Sequence, residues 1–179
     1  MFVALDLPVP ARSGLAAWRD SLMAGRDDLR PVAPEALHVT LAFLGWQDEA
    51  AAEAIAAAAF EAAGGAAPVL RAAAVRPLPP RDPRLFALDL EDEEGRASAL
   101  QAGVSDALEA GRWYRPEKRP FWPHITLARV KRRERRVAPL PDAPAPPSEP
   151  FSASELTLYR STLRPQGALY EPLARVELT

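Results

Sequence analysis

The stretch Trp122-Pro123-His124-Ile125-Thr126-Leu127-Ala128-Arg129 decides how the rest of the chain reads, and Leu37-His38-Val39-Thr40-Leu41-Ala42-Phe43 echoes it. Both have the β-branched and aliphatic character of a buried strand, set around a His-x-Thr core. Successive side chains of a strand point to opposite faces, so His124 and Thr126 share one face while Ile125 and Leu127 share the other. His38 and Thr40 stand in the same relation to Val39 and Leu41. Each copy therefore presents an imidazole and a hydroxyl side by side on an aliphatic backing. The chain has only two histidines and five threonines, and both histidines are followed two residues later by a threonine. The pair is read as a site rather than as two unrelated strand residues.

Working outward, 179 residues with 48% hydrophobic content suffice for one folded domain with a sizeable core and argue against disorder. There is no cysteine, which removes disulfides, thiolate metal ligands and thiol nucleophiles, and suits a reducing cytoplasm. No basic-then-apolar leader pattern opens the chain, and no apolar stretch reaches the roughly 20 residues that span a bilayer. A soluble, cytoplasmic protein is expected. The net charge of −2 hides an asymmetry: residues 112–136 hold ten Lys or Arg against two Glu, so that segment carries +8 and the remainder −10. It brackets the second motif, where a basic surface would draw in polyanions.

Residues 2–7 read as a strand running into Pro8 and Pro10, which suit the start of a helix. Leu15, Trp18 and Leu22 recur at helical spacing and predict a helix over about 10–24. The first motif strand ends at Gly45, Asp48 is placed to cap an alanine-rich helix, and Gly64-Gly65 stops it. A short strand over 69–75 is followed by four prolines in residues 76–84, read as a stiff connector, and by a strand over 85–90. The cluster Glu91, Asp92, Glu93 and Glu94 reads as the acidic first turn of a helix rather than a divalent metal site. Leu100, Val104 and Leu108 mark that helix's apolar stripe, and Gly111 ends it. Beyond the second motif lie six prolines in residues 138–150, then strands over 151–160 and 168–178.

Two His-x-Thr-aliphatic motifs in a chain of this length resemble the two-histidine phosphoesterase superfamily. Within it, the likeness is to the bacterial and archaeal RNA 2′,3′-cyclic phosphodiesterases, also called 2′-5′ RNA ligases. Phe2-Val3-Ala4-Leu5-Asp6-Leu7-Pro8 is similar to that family's first strand, and His38-Val39-Thr40-Leu41-Ala42-Phe43-Leu44-Gly45 to its first motif. Glu155-Leu156-Thr157-Leu158-Tyr159-Arg160-Ser161 and Gly167-Ala168-Leu169-Tyr170 fall where the family has its last strands. The resemblance implies a bilobal α+β fold in which two mainly antiparallel sheets face each other across a central cleft, with helices outside and a pseudo-two-fold internal repeat. The residues by themselves give only α+β with an internal pseudo-repeat; with the resemblance, the expectation is a single two-lobed domain over 1–179.

Phosphodiester cleavage needs a base for the attacking oxygen and an acid for the departing one, and histidine suits both. Two imidazoles on opposite sides of one phosphorus, with Thr40 and Thr126 hydroxyls on the non-bridging oxygens, make a complete set without a metal. No third histidine and no convincing carboxylate cluster supplies a metal site, and no cofactor is called for. The activity the resemblance implies is hydrolysis of RNA 2′,3′-cyclic phosphate ends to 2′-phosphomonoesters, with reverse 2′-5′ ligation. The resemblance makes His38 the proton donor and His124 the base, roles the residues alone do not distinguish. Arg129 sits where the family often has arginine, as a phosphate ligand, yet strict alternation turns it away from His124 unless a bulge redirects it. Phe43, Trp122 and Tyr159 are read as core aromatics rather than a stacking surface. The expected partner is RNA with a cyclic phosphate end, the expected state a monomer. A small cyclic nucleotide such as an ADP-ribose cyclic phosphate, a 2′-5′ oligonucleotide, and a non-catalytic RNA-binding role stand as alternatives.

Overall fold

Among the described residues, alternating aliphatic and β-branched runs become nine strands, and apolar stripes at helical spacing become three helices. The computed structural model describes residues 1–131, 137, 140, 144–164 and 167–179. The strands are β1 (Phe2–Asp6), β2 (Leu29–Pro31), β3 (His38–Phe43), β4 (Val69–Leu78), β5 (Leu85–Glu91), β6 (His124–Val130), β7 (Phe151–Ser152), β8 (Glu155–Arg164) and β9 (Gly167–Glu177). The helices are α1 (Val9–Leu22), α2 (Ala52–Glu61) and α3 (Arg96–Ala110). Every pairing among them is antiparallel, along the path β7-β4-β5-β6-β3-β1-β8-β9 with β2 beside β6. The result is a mainly antiparallel α+β fold. In one respect the expectation is corrected: the strands form one continuous path rather than two separate sheets. The two halves of that path are joined where β3 meets β6, through the single register pair Val39 with Ile125.

That junction is the centre of the molecule. Val39 and Ile125 are both essentially inaccessible, and Leu41, Leu127, Leu5 and Leu88 pack around them in the main core. Truncating Ile125 to alanine at such a site would cost about 2–5 kcal/mol. Outside the junction the order on either side corresponds. In β1, Ala4, Leu5 and Asp6 lie across from Thr40, Val39 and His38. In β5, Ala87, Leu88 and Asp89 lie across from Thr126, Ile125 and His124. The connections correspond as well, since β1 leads through α1 to β3 and β5 leads through α3 to β6.

Both motif strands carry a bulge at the same place. The β1–β3 register jumps between Val3 and Ala4, which pair with Ala42 and Thr40 and leave Leu41 as the extra residue. The β5–β6 register jumps between Phe86 and Ala87, which pair with Ala128 and Thr126 and leave Leu127 as the extra residue. An extra residue resets the alternation of the strand. Leu41 and Ala42 are both buried in consequence, as are Leu127 and Ala128.

Elsewhere the elements fall close to the sequence reading, with four departures. The proline-rich 76–84 stretch is not a connector throughout, because Arg76, Pro77 and Leu78 pair with Ala87, Phe86 and Leu85 inside a β4–β5 hairpin. Pro77 is tolerated there because β7 covers only Val69 and Leu70 of β4, so the strand is an edge where proline needs no partner for a missing N–H. The acidic run precedes α3 instead of forming its first turn, and Asp92 reaches forward to accept from the Ala97 and Ser98 amides at 3.1 and 2.8 Å. The closing strand expected over 151–160 is broken into β7 and β8. Strand β2 was not expected at all; its three residues hydrogen-bond along β6. Asp48 does cap its helical segment, accepting from the Ala50 amide at 3.0 Å.

Candidate active site

Antiparallel pairing about Val39 and Ile125 decides what the two motifs can do together. Residues flanking a register pair face the other side of the sheet, so His38 stands across from Thr126 and Thr40 across from His124. The two histidines are then diagonal neighbours, a separation of about 7–8 Å in ordinary antiparallel geometry. Residues 86 positions apart in sequence thus share one surface of the sheet.

Each imidazole is held the same way. His38 Nδ1 lies 2.8 Å from the Ala36 carbonyl oxygen, and His124 Nδ1 lies 2.8 Å from the Trp122 carbonyl oxygen. A carbonyl only accepts, so Nδ1 carries the proton in both rings and Nε2 is left as the exchangeable position. His38 Nε2 is 3.1 Å from the Thr40 hydroxyl. The rings are also wedged by aromatics. His124 stacks on Trp122 with centroids 4.1 Å apart at 13°, and His38 stacks on Phe2 at 5.0 Å while meeting Tyr170 edge-on at 5.3 Å.

The bulges bring two further residues to this surface. With alternation reset at Leu127, Arg129 joins the face of Thr126, which resolves the difficulty that a regular strand poses. At the matching position the first motif has Phe43, 64% exposed rather than part of the core. Arg129, Phe43, His38, Thr40 and Thr126 together line a cavity of about 120 Å³ that also touches Ser161 and Tyr170. His124 opens instead onto an adjoining cavity of about 570 Å³, with Trp122, Phe121, Tyr114 and Gln101 in its wall. Thr40 and Phe43 border both, so they form the shared wall of one divided cleft.

The electrostatics of His38 follow from this packing. Burial lowers its pKa from the usual value. The Ala36 carbonyl and the Asp6 carboxylate pull the other way, while His124 and Arg129 add to the lowering. The neutral ring with a bare Nε2 is therefore the favoured form of His38 in the free protein. Asp6 accepts from the Thr157 hydroxyl at 2.7 Å and from the Tyr159 hydroxyl at 2.8 Å. Burial, followed by that carboxylate, raises the Tyr159 pKa so that the phenol stays a donor. On the other side Asp89 is ion-paired with Arg76 and accepts from Trp122 Nε1 at 3.1 Å.

All five site residues expected from sequence lie on this surface, divided between its two cavities. Asp6, Asp89, Phe43 and Trp122 were not among them. A signal for the two carboxylates was present, since Ala4-Leu5-Asp6-Leu7 recurs as Ala87-Leu88-Asp89-Leu90. Of the basic 112–136 segment, Arg132, Arg133, Arg135 and Arg136 lie outside the described residues. Among the described residues no three His, Cys, Asp or Glu gather into a set that could hold a metal ion, and no helix is long and apolar enough to cross a membrane.

The family model described as the 2′-5′ RNA ligase superfamily matches residues 7–164. The chain is 35% identical to a protein of Thermus thermophilus named RNA 2′,3′-cyclic phosphodiesterase, over 99% of this chain and 89% of that one. It is 31% identical to the Escherichia coli protein of the same name, over 100% and 96%. Among solved structures, TT0787 of Thermus thermophilus superposes with a TM-score of 0.77 at 32% identity, covering 99% of this chain and 96% of that one. The Escherichia coli LigT structure with 3′-AMP superposes with a TM-score of 0.74 at 28% identity, covering 99% and 97%.

Proposed function

The chain belongs to the 2′-5′ RNA ligase superfamily, and on that premise we propose that it hydrolyses RNA 2′,3′-cyclic phosphate ends to 2′-phosphomonoesters. The observation that carries the mechanism is the pairing of Val39 with Ile125, which sets two Nδ1-anchored imidazoles diagonally across one junction. The cyclic phosphate sits between the two Nε2 atoms. The Thr40 and Thr126 hydroxyls donate to its non-bridging oxygens, and Arg129 offsets the charge that builds there.

His124 Nε2 takes a proton from water as its oxygen attacks phosphorus. The P–O3′ bond breaks, and His38 Nε2–H delivers a proton to the 3′ oxygen, leaving a 2′-phosphomonoester and a free 3′ hydroxyl. Because burial disfavours protonated His38 in the free chain, this role depends on the substrate's own negative charge, which restores the imidazolium as it binds. A 5′ hydroxyl in place of water gives a 2′,5′ linkage through the same proton steps. The matching registers, the matching bulges and the repeated Ala-Leu-Asp-Leu support a single two-lobed domain built as a pseudo-two-fold repeat about the Val39–Ile125 pair.

The test is 31P NMR of a short RNA with a 2′,3′-cyclic phosphate end, incubated in EDTA with the wild type, His38→Gln or His124→Gln. The wild type is expected to yield the 2′-phosphomonoester, with each variant slower by about 10²-fold or more. A 3′-phosphate product, loss of activity in EDTA, or variants at the wild-type rate would overturn the reading.

A further inference from the structure

Two features are duplicated without being needed by the proton steps above. Asp6 lies directly across the β1–β3 ladder from His38, and Asp89 directly across the β5–β6 ladder from His124. Each carboxylate holds a ring close to its histidine, the indole in direct stacking and the phenol through Phe2, which stacks on both Tyr159 and His38. Asp6 accepts from the Tyr159 hydroxyl, and the Tyr159 and His38 centroids are 6.2 Å apart. Asp89 accepts from Trp122 Nε1, and that indole stacks on His124 at 4.1 Å. The halves differ in one respect. Asp89 is ion-paired with Arg76, whereas Asp6 has hydroxyl donors and no ion-pair partner among the described residues.

The geometry points to Asp6 and Asp89 as a matched pair of positioning residues: each fixes a ring of the aromatic cluster beside its histidine and sets a carboxylate across the ladder from that imidazole, and Arg76 neutralises only one of the two. This rests on the phosphodiesterase reading and deepens it. An uncompensated carboxylate favours a protonated neighbour, so Asp6 supports the imidazolium of His38. A carboxylate already paired with a guanidinium has little net charge to offer, so Asp89 gives its neighbouring imidazole less of that support. The two imidazoles thereby have carboxylates of different net charge across their ladders. The other groups facing His38 are Arg129 and His124 from β6, Tyr159 from β8 and Tyr170 from β9. Those facing His124 are His38 from β3 and, in the wall of its cavity, Tyr114, Glu117 and Arg119. Apart from the two histidines themselves, none of them is duplicated in the two halves as the carboxylates are.

With only two histidines in the chain, the imidazole resonances of the whole protein can be followed by NMR against pH and assigned with His→Gln variants. Asp6→Asn keeps an acceptor for Tyr159 and removes the charge, so the His38 midpoint should fall by about one pH unit while that of His124 moves far less. Arg76→Gln exposes the charge of Asp89 and should raise the His124 midpoint. Asp89→Asn leaves Arg76 alone behind the indole and should lower it. The limbs of the kcat/KM profile should move with the midpoints. Unmoved midpoints in folded Asp6→Asn and Arg76→Gln proteins would overturn the inference and reduce both carboxylates to fold supports. Should the Asp variants fail to fold, Arg76→Gln decides, since that side chain is 64% exposed: a raised His124 midpoint supports the inference and an unchanged one overturns it. A wild type that titrates as described but hydrolyses no cyclic phosphate would refute the functional reading alone.

Discussion

Replacing Arg129 by methionine tests the bulge at Leu127, because only that extra residue turns position 129 toward the cavity lined by His38, Thr40 and Thr126. A hydrogen bond from a charged donor is worth about 1.5–3 kcal/mol. Arg129 is exposed at the cavity wall, where water screens it, so the lower part of that range applies. A loss of about 1.5–2 kcal/mol corresponds to roughly 10- to 30-fold in kcat/KM. A second effect has the opposite sign to a simple loss of function. Arg129 contributes to lowering the pKa of His38, so its removal should move the His38 titration upward even as the rate falls. Arg129→Lys keeps the charge but not the planar fork, and should lose less rate and leave the titration nearer the wild type. The assay is kcat/KM against pH on a cyclic-phosphate RNA end for all three proteins. Unchanged kcat/KM in Arg129→Met would refute the argument, as would a fall in rate with a His38 limb moved to lower pH.

Thr40→Ala and Thr126→Ala should each slow turnover by less than either histidine variant, roughly 1.5–3 kcal/mol in single-turnover rate; losses as large as those of the histidine variants would give the hydroxyls a different role. Because folding lowers the pKa of His38, the unfolded chain binds that proton more readily, and the stability held by neutral His38 is full above about pH 6.5 and lost as pH falls through the depressed folded value. The Tm of the wild type should therefore drop more steeply between pH 7 and 5 than that of His38→Gln, and parallel curves would contradict this. Neutralising Arg132, Arg133, Arg135 and Arg136 should flatten the salt dependence of oligonucleotide binding while hydrolysis of a mononucleotide cyclic phosphate barely changes. Equal losses on both substrates would assign the segment to the fold or the site instead.

The strands that carry the chemistry were legible because alternation and β-branching are local properties, and His-x-Thr puts both polar groups on one face by period alone. Arg129 was legible as a residue type but not as a direction. A bulge is fixed by the register of β5 against β6, and nothing within 124–130 announces it. The same non-local event exposes Phe43, which by strand composition reads as core. Asp6 and Asp89 escaped because one carboxylate at the end of an apolar strand looks like an ordinary strand terminus; only the recurrence of Ala-Leu-Asp-Leu distinguishes them. Pro77 suggested a connector because proline removes a ladder donor, yet the shortness of β7 leaves that part of β4 an edge where the loss costs little. The joining of two expected sheets into one path likewise depends on a single pair, Val39 with Ile125, whose partners are 86 residues apart.

The central claim is that His38 protonates the leaving 3′ oxygen while His124 activates water. A cyclic-phosphate RNA end in which sulfur replaces the 3′ oxygen tests it most directly, since sulfur departs without needing a proton. On that substrate His38→Gln should recover most of the rate it loses on the oxygen substrate, while His124→Gln should remain slow by about 10²-fold or more. Equal deficits for the two variants on the sulfur substrate would contradict the assignment, and recovery by His124→Gln alone would reverse it.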